Sequence, residues 1–323
     1  MPLSARPGGA RAPRIDVHQH VWTEPLIAAL AARTALPRAR REAPGQWRLE
    51  LSGEPAAVVA AGPDAGDAAA ALARHDRIDA ALAALSSPLG IEALPVDEAA
   101  PLLEAYHAGA EALPDPFGFW GALGIAEPDA DEVDAVLARG AAGASLPAGV
   151  LASPAGLDHV APLLRRLADR GAPLFVHPGP APWATAERAG PWTPAWWPAA
   201  TTYVAQMHAA WMAWAATGRA QNPRLVVVFG MLAGLAPLHV DRLEARGGPA
   251  GAGADGRTFY EVSSYGRAAV EAVASATGRD RILFGSDRPA VADLPLAADD
   301  AAWDRDFRRN AAGLLPGRLE VAA

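Results

Sequence analysis

The chain of 323 residues contains no cysteine. A disulfide framework and a thiolate metal site are therefore both excluded. Lysine is missing too, since all 28 basic residues are arginine. That removes the Schiff-base lysine as a nucleophile, and with it the carbamylated lysine that bridges two metal ions in some barrels. No apolar run is long enough to span a bilayer: the alanine-rich stretch at 56–73 is broken by Pro63, Asp64 and Asp67. The first residues are rich in Pro, Gly and Arg and lack the apolar centre of a signal peptide. Residues 1–13 read as a flexible leader, and 14–323 as a single domain. A cytoplasmic protein with no membrane partner is expected. Acidic residues outnumber basic ones by 36 to 28, for a net charge of −8. Such a surface gains nothing from counterion release on nucleic acid, so the expected partner is a small-molecule substrate.

What is present is apolar material in quantity, 51% of the chain against 20% charged residues, which is ample for a full core. Short apolar runs at 14–20, 78–86, 117–125, 143–146, 173–177, 225–230, 258–263 and 281–286 read as strands. Helical segments at 64–74, 96–111, 129–139, 156–170, 202–217, 237–246 and 267–277 lie between them, and 298–314 follows the last. Runs such as LFV and LVVVF show no alternation, as expected of parallel strands covered on both faces. Strand–helix repetition gives an α/β class, and eight units argue for a closed (β/α)8 TIM barrel over an open sheet. Two insertions interrupt the pattern. Residues 37–55, containing Trp47, suggest a small hairpin after the first strand, and the Gly-rich 247–256 suggests a loose loop on the face away from the chemistry.

Three strand ends carry candidate ligands. In Ile15-Asp16-Val17-His18-Gln19-His20 the two histidines are two residues apart on a strand, so both can point into the barrel mouth. Paired neutral imidazoles suit a zinc-type cation at about 2.0–2.1 Å. Two polar residues at a strand end would give the same pattern. His177 ends the run Leu174-Phe175-Val176, and Pro178-Gly179 then turns the chain at the catalytic face of a barrel; a single histidine is also often a satisfied core residue. Asp287 ends the eighth run, where Ser286-Asp287 ahead of Pro289 also suits a helix N-cap. Together they put three histidines and a carboxylate at the same ends of strands one, five and eight.

IDVHQH, LFVHPG and LFGSDRP, in that order, resemble the amidohydrolase superfamily, and within it the branch that includes aminocarboxymuconate-semialdehyde decarboxylase. The likeness runs from Ile15 to about Pro316, with NAAGLLPG resembling the family's terminal segment. It implies that His18, His20, His177 and Asp287 bind one divalent metal, with zinc expected and manganese as the second candidate. It also implies that Asp287 handles the proton of an attacking water, with His177 beside it in the catalytic set. The missing lysine agrees with one ion instead of two. One position departs from the pattern. Where many members carry a histidine after strand six, this chain has Met231, a thioether that neither donates a proton nor carries charge. His208 on the preceding helix is a possible substitute, though an ordinary helix residue fits there as well.

Around the mouth, Trp22, Trp183, Trp192, Met231, Tyr265 and Arg288 are the candidate substrate contacts. The loop tryptophans after His177 would roof the site over a flat apolar substrate, and Arg288 would clamp a carboxylate or pair with a nearby acid. Trp211 and Trp214, three apart on a helix, read as core or interface residues, and a homodimer is the assembly to look for. Hydrolysis of an amide, ester or lactone ranks first, non-oxidative decarboxylation of an aromatic or unsaturated acid second, and a metal-binding pseudoenzyme third.

Overall fold

A computed structural model describes residues 11–185, 190, 192–291 and 300–314. Among them run β1 (Ile15–Gln19), β2 (Arg38–Ala43), β3 (Gln46–Glu50), β4 (Ala57–Ala60), β5 (Ala80–Ala83) and β6 (Phe117–Phe119). They are followed by β7 (Gly121–Ala122), β8 (Ala144–Pro147), β9 (Leu174–His177), β10 (Val227–Phe229), β11 (Thr258–Glu261) and β12 (Ile282–Leu283). β1, β5 and β6 pair in parallel, and β7 to β12 pair in parallel in sequence order. Trp120 separates β6 from β7 by one residue, so the two count as a single stave. The ring closes where Val17 N donates to Phe284 O at 3.0 Å and Asp287 N donates to His18 O at 2.9 Å. The result is the eight-stave barrel that the apolar runs predict.

The barrel has two apolar layers. Val17, Leu82, Trp120, Phe175, Val228 and Leu283 fill its interior, while a separate cluster lies between the staves and the surrounding helices. Trp120 is the interior's keystone. It is fully buried, stacks on Phe175 at 5.3 Å, and donates its indole N–H to Val17 O at 2.9 Å. Outside, helix Ala161–Asp169 buries Leu163, Leu164 and Leu167 against the sheet, the i, i+1, i+4 stripe of an amphipathic helix. Trp211 and Trp214 are buried as well, their indoles donating to Tyr260 Oη and Thr258 Oγ1 at 3.0 and 3.3 Å.

The structure departs from the sequence reading in several elements. The single helix expected over 156–170 is two, Pro154–His159 and Ala161–Asp169, because Pro162 lacks the N–H that a continuous helix needs. The segment 202–217 is α-helical only to Ala213 and continues as a π turn over Trp214–Gly218. The insertion is a three-stranded antiparallel meander, with β4 adding a third strand to the expected hairpin and pairing Trp47 with Val59. Stretch 247–256 carries a 3-10 turn at Ala252–Ala254, and Glu244 accepts from Gly251 N at 2.7 Å. The closing helix, Ala301–Leu314, ties down residues 11–14: Asp304 takes Arg11 and Arg14, and Arg308 donates to Ala12 O. Residues 1–10 of the leader, 298–299 of the last helix and Pro316 lie outside the described residues. No described helix is long and apolar enough to cross a membrane.

Candidate metal centre

Closure of β1 on β12 brings the ends of staves one, five and eight together. His18, His20, His177 and Asp287 each offer one ligand atom there, all within 4.8 Å of one another. His20 Nε2 lies 3.3 Å from both His18 Nε2 and His177 Nε2, and 3.2 Å from Asp287 Oδ1. Bonds of about 2.0–2.1 Å at tetrahedral angles require donor separations of roughly 3.3–3.4 Å, so the spacing fits one divalent cation. The three rings meet edge to face with centroids 5.0 Å apart.

Each ring is also set in the right tautomer. His18 Nδ1 faces Glu261 Oε2 at 3.0 Å, His20 Nδ1 faces Ala84 O at 2.8 Å, and His177 Nδ1 faces Pro178 O at 2.8 Å. With every Nδ1–H donated to an oxygen, every Nε2 keeps its lone pair for a cation, which is how outer partners orient metal-binding histidines.

Electrostatics follow from burial. Burial lowers the His18 pKa, but the charges of Asp287 and Glu261 outweigh it and lift the ring to about 9. Burial raises Asp287, yet His18 and His20 more than offset that and hold its carboxyl at about 2. His177 is pushed well below the usual imidazole range, first by burial and then by the other two rings. A cation entering here therefore competes with a proton on His18.

Two buried acids behind the site went unread in the sequence. Glu261 is completely buried; besides His18 it accepts from Met231 N at 3.2 Å, from Ser263 Oγ at 2.8 Å and from Ser263 N. It fits only because residue 285 is glycine: a Cβ there would come within 2.3 Å of Glu261 Oε1. Asp16 accepts from His18 N and Ser286 N at 3.1 Å each and from Gln19 Nε2 at 2.7 Å, bracing the irregular stretch of β1 against β12. Burial, against these hydrogen bonds, raises its carboxyl to about 6. The only sequence sign of either was an acid inside an apolar strand.

Met231 opens a left-handed turn. Met231, Leu232, Ala233, Gly234 and Leu235 all have φ between 49° and 61°. Left-handed backbone costs about 1–2 kcal/mol for each non-glycine residue. Asp287 (φ 54°) and Ser264 (φ 67°) share this conformation, so strain gathers at the ends of staves six to eight.

The other candidates are divided. Trp22 is buried and lines, with His20 and Arg288, a largely apolar cavity of about 540 Å3 beneath the insertion. Met231 is buried, with its N–H on Glu261. Tyr265 is half-buried, packed against the outer core, and Ser263 belongs to the network behind His18. The Arg288 guanidinium pairs with Asp76 at 3.0 Å. Trp183 packs edge-on against His159, and Trp192 is 92% exposed, so among the described residues the loop tryptophans build no roof. His208 faces His239 with centroids 5.0 Å apart, outside the cluster of ligands.

No protein-family model matches the chain, and no curated protein matches it. Solved structures do. 5-Carboxyvanillate decarboxylase from Sphingomonas paucimobilis aligns over 97% of this chain and 100% of its own, at 16% identity and TM-score 0.67. A protein described as amidohydrolase II aligns over 94% and 99%, at 18% identity and TM-score 0.67. The 5-carboxyvanillate decarboxylase of Novosphingobium aromaticivorans, solved with manganese and 4-hydroxy-3-methoxy-5-nitrobenzoic acid, aligns over 76% and 78%, at 19% identity and TM-score 0.61. The (β/α)8 barrel is thus a fold this chain shares with these structures. Its mouth holds a donor set of three histidines and one aspartate, fit for one divalent ion.

Proposed function

We propose that this protein is a divalent-metal-dependent, non-oxidative decarboxylase of a small hydroxylated aromatic acid, with zinc or manganese as its ion. The observation that carries the reading is the prearranged single-ion donor set, with every Nδ1 engaged, in a fold it shares with decarboxylases of aromatic acids. A divalent ion bound there would supply a Lewis-acidic anchor for the oxygens of a substrate.

The chain's own residues favour decarboxylation over the hydrolysis ranked first from sequence. At position 231 a thioether stands in place of an imidazole. A decarboxylase substrate arrives already ionised and needs no such base. In this reading His18, His20, His177 and Asp287 hold the ion, and Trp22 and Met231 wall the substrate. Hydrolysis of an ester, amide or lactone is the second reading, favoured by the amidohydrolase among the structural matches.

The test is to load the protein with Zn2+ or Mn2+ and offer a panel of hydroxybenzoates. Release of carbon dioxide from at least one of them, lost in His177→Ala, is expected. Turnover of lactones or amides with no carbon dioxide from any aromatic acid would reverse the order of the two readings.

A further inference from the structure

If position 231 has lost its proton-handling group, a decarboxylase still needs a proton for the carbon that loses carbon dioxide. The insertion between the first two staves brings an acid to the helix that follows the His177 loop. Glu54, between β3 and β4, accepts a hydrogen bond from Tyr203 Oη at 2.6 Å. Tyr203 stands in the first turn of helix Thr202–Ala213. Three residues on, and so on the same side of the helix, Gln206 Oε1 accepts from Gly179 N at 3.0 Å, two residues past His177. Next to Tyr203, the Val204 carbonyl packs on Gly234, where a Cβ would approach to 2.5 Å, within the left-handed turn that starts at Met231. The start of the helix that carries Tyr203 is therefore packed between the His177 loop and the Met231 turn.

The charged surroundings of the pair agree with this placement. Among the described residues, burial raises the Tyr203 phenol first, and the charges of Glu54 and Asp287 raise it further. Burial raises the Glu54 carboxyl, and the hydrogen bond from Tyr203 partly opposes the rise. Among the described residues, no arginine or histidine figures among the groups that shift either residue.

We propose that Tyr203 and Glu54 form the proton-delivering pair of this site, serving a hydroxylated aromatic carboxylate from the side where Met231 replaces an imidazole. The proposal rests on the decarboxylase reading. In the step, the bond between the ring carbon and the carboxylate breaks, its electron pair stays on the ring carbon, and carbon dioxide leaves. In the resting pair Tyr203 Oη donates to Glu54. For the step the protonated Glu54 carboxyl instead donates to Tyr203 Oη, whose own proton turns to the ring carbon and forms the new C–H bond while the Glu54 proton replaces it. Glu54 then regains a proton from water, so an aromatic carboxylate and one proton become an arene and carbon dioxide.

The test uses Tyr203→Phe and Glu54→Gln, each metal-loaded, with the hydroxybenzoate that releases carbon dioxide fastest. General acid catalysis is worth about 100-fold or more, so kcat should fall by about that factor in each variant, and no further in the double variant. KM and metal affinity should stay within about twofold, a sign that the fold and the ion site are intact. The fall of kcat at high pH, where Glu54 gives up its proton, should vanish in Glu54→Gln. A second readout needs no substrate. The chain has four tyrosines, and the ring carbon-13 signal lost in Tyr203→Phe should titrate with pH in the native protein but not in Glu54→Gln. A Tyr203 signal indifferent to Glu54→Gln would overturn the pairing. Unchanged kcat and pH profile in both variants would overturn the proton role while leaving the decarboxylase reading in place. If no aromatic acid releases carbon dioxide, that reading fails and the proposal falls with it.

Discussion

Glu261→Gln is the sharpest probe of how the metal centre is held. The carboxylate keeps the His18 ring turned and makes it a stronger donor; the amide keeps the shape and loses the charge. Loss of such an outer partner costs about 10–100-fold in metal affinity, or roughly 1.4–2.7 kcal/mol. A second effect opposes it. Glu261 and Asp287 lift the metal-free His18 to about 9, so at neutral pH the native protein must expel a proton to take up metal. The variant's His18 binds that proton less tightly, and its penalty at pH 7 is smaller. The full deficit is therefore expected only above about pH 10, a unit beyond the His18 pKa of about 9, where neither protein carries the proton, and a smaller one at pH 6.5. The amide also cannot accept at both ends. With its oxygen towards His18, Met231 N and Ser263 Oγ, its NH2 faces Ser263 N–H. That donor–donor contact should lower stability by about 1–3 kcal/mol. The assay is competition against a chromophoric chelator over this pH range, with urea unfolding of the metal-free protein beside it. Native affinity at the alkaline end of that range, or a deficit that grows as pH falls, would refute the reasoning.

Three further outcomes test the frame around the site. His107 accepts from Ala122 N at 3.1 Å, and burial, then Arg139, lowers its pKa from 6.5 to about 4. The unfolded chain takes a proton as pH drops through 6.5 and the folded one only near 4. Stability is thus lost across that window, by about 3 kcal/mol in all. In His107→Gln this component should disappear; urea midpoints that track the native protein from pH 7 to 4 would rule it out. Trp120→Ala should destabilise by about 3–5 kcal/mol, seen in chemical denaturation, and a loss under 1 kcal/mol would deny Trp120 its place in the barrel interior. Gly234→Ala should cost at least about 1 kcal/mol, since the new methyl meets the Val204 carbonyl; an equally stable variant would contradict the left-handed turn.

How much of this was legible follows from what is local in sequence. Apolar runs without alternation gave all eight staves, and periodic segments such as Val96–Glu111 and Arg267–Thr277 were read to the residue. The four candidate ligands were legible because each ends an apolar strand, so position alone aims it at the mouth. Their supports were not. Glu261 is 243 residues from His18, and Glu54 is 149 residues from Tyr203; neither pairing leaves a local trace. β4, reading AVVA, disappeared into an alanine-rich stretch because one exposed and one half-buried valine carry little alternation. The tryptophans after His177 looked like a lid by composition, but exposure is decided by the path of the loop.

The central claim is that His18, His20, His177 and Asp287 hold a single divalent ion. Metal content per chain, measured after dialysis against Zn2+ or Mn2+, tests it most directly, for the native protein beside His20→Ala and His177→Ala. One equivalent in the native chain and well under a tenth of one in either variant is the expected result. Two equivalents in the native chain, or one retained in both variants, would contradict the account.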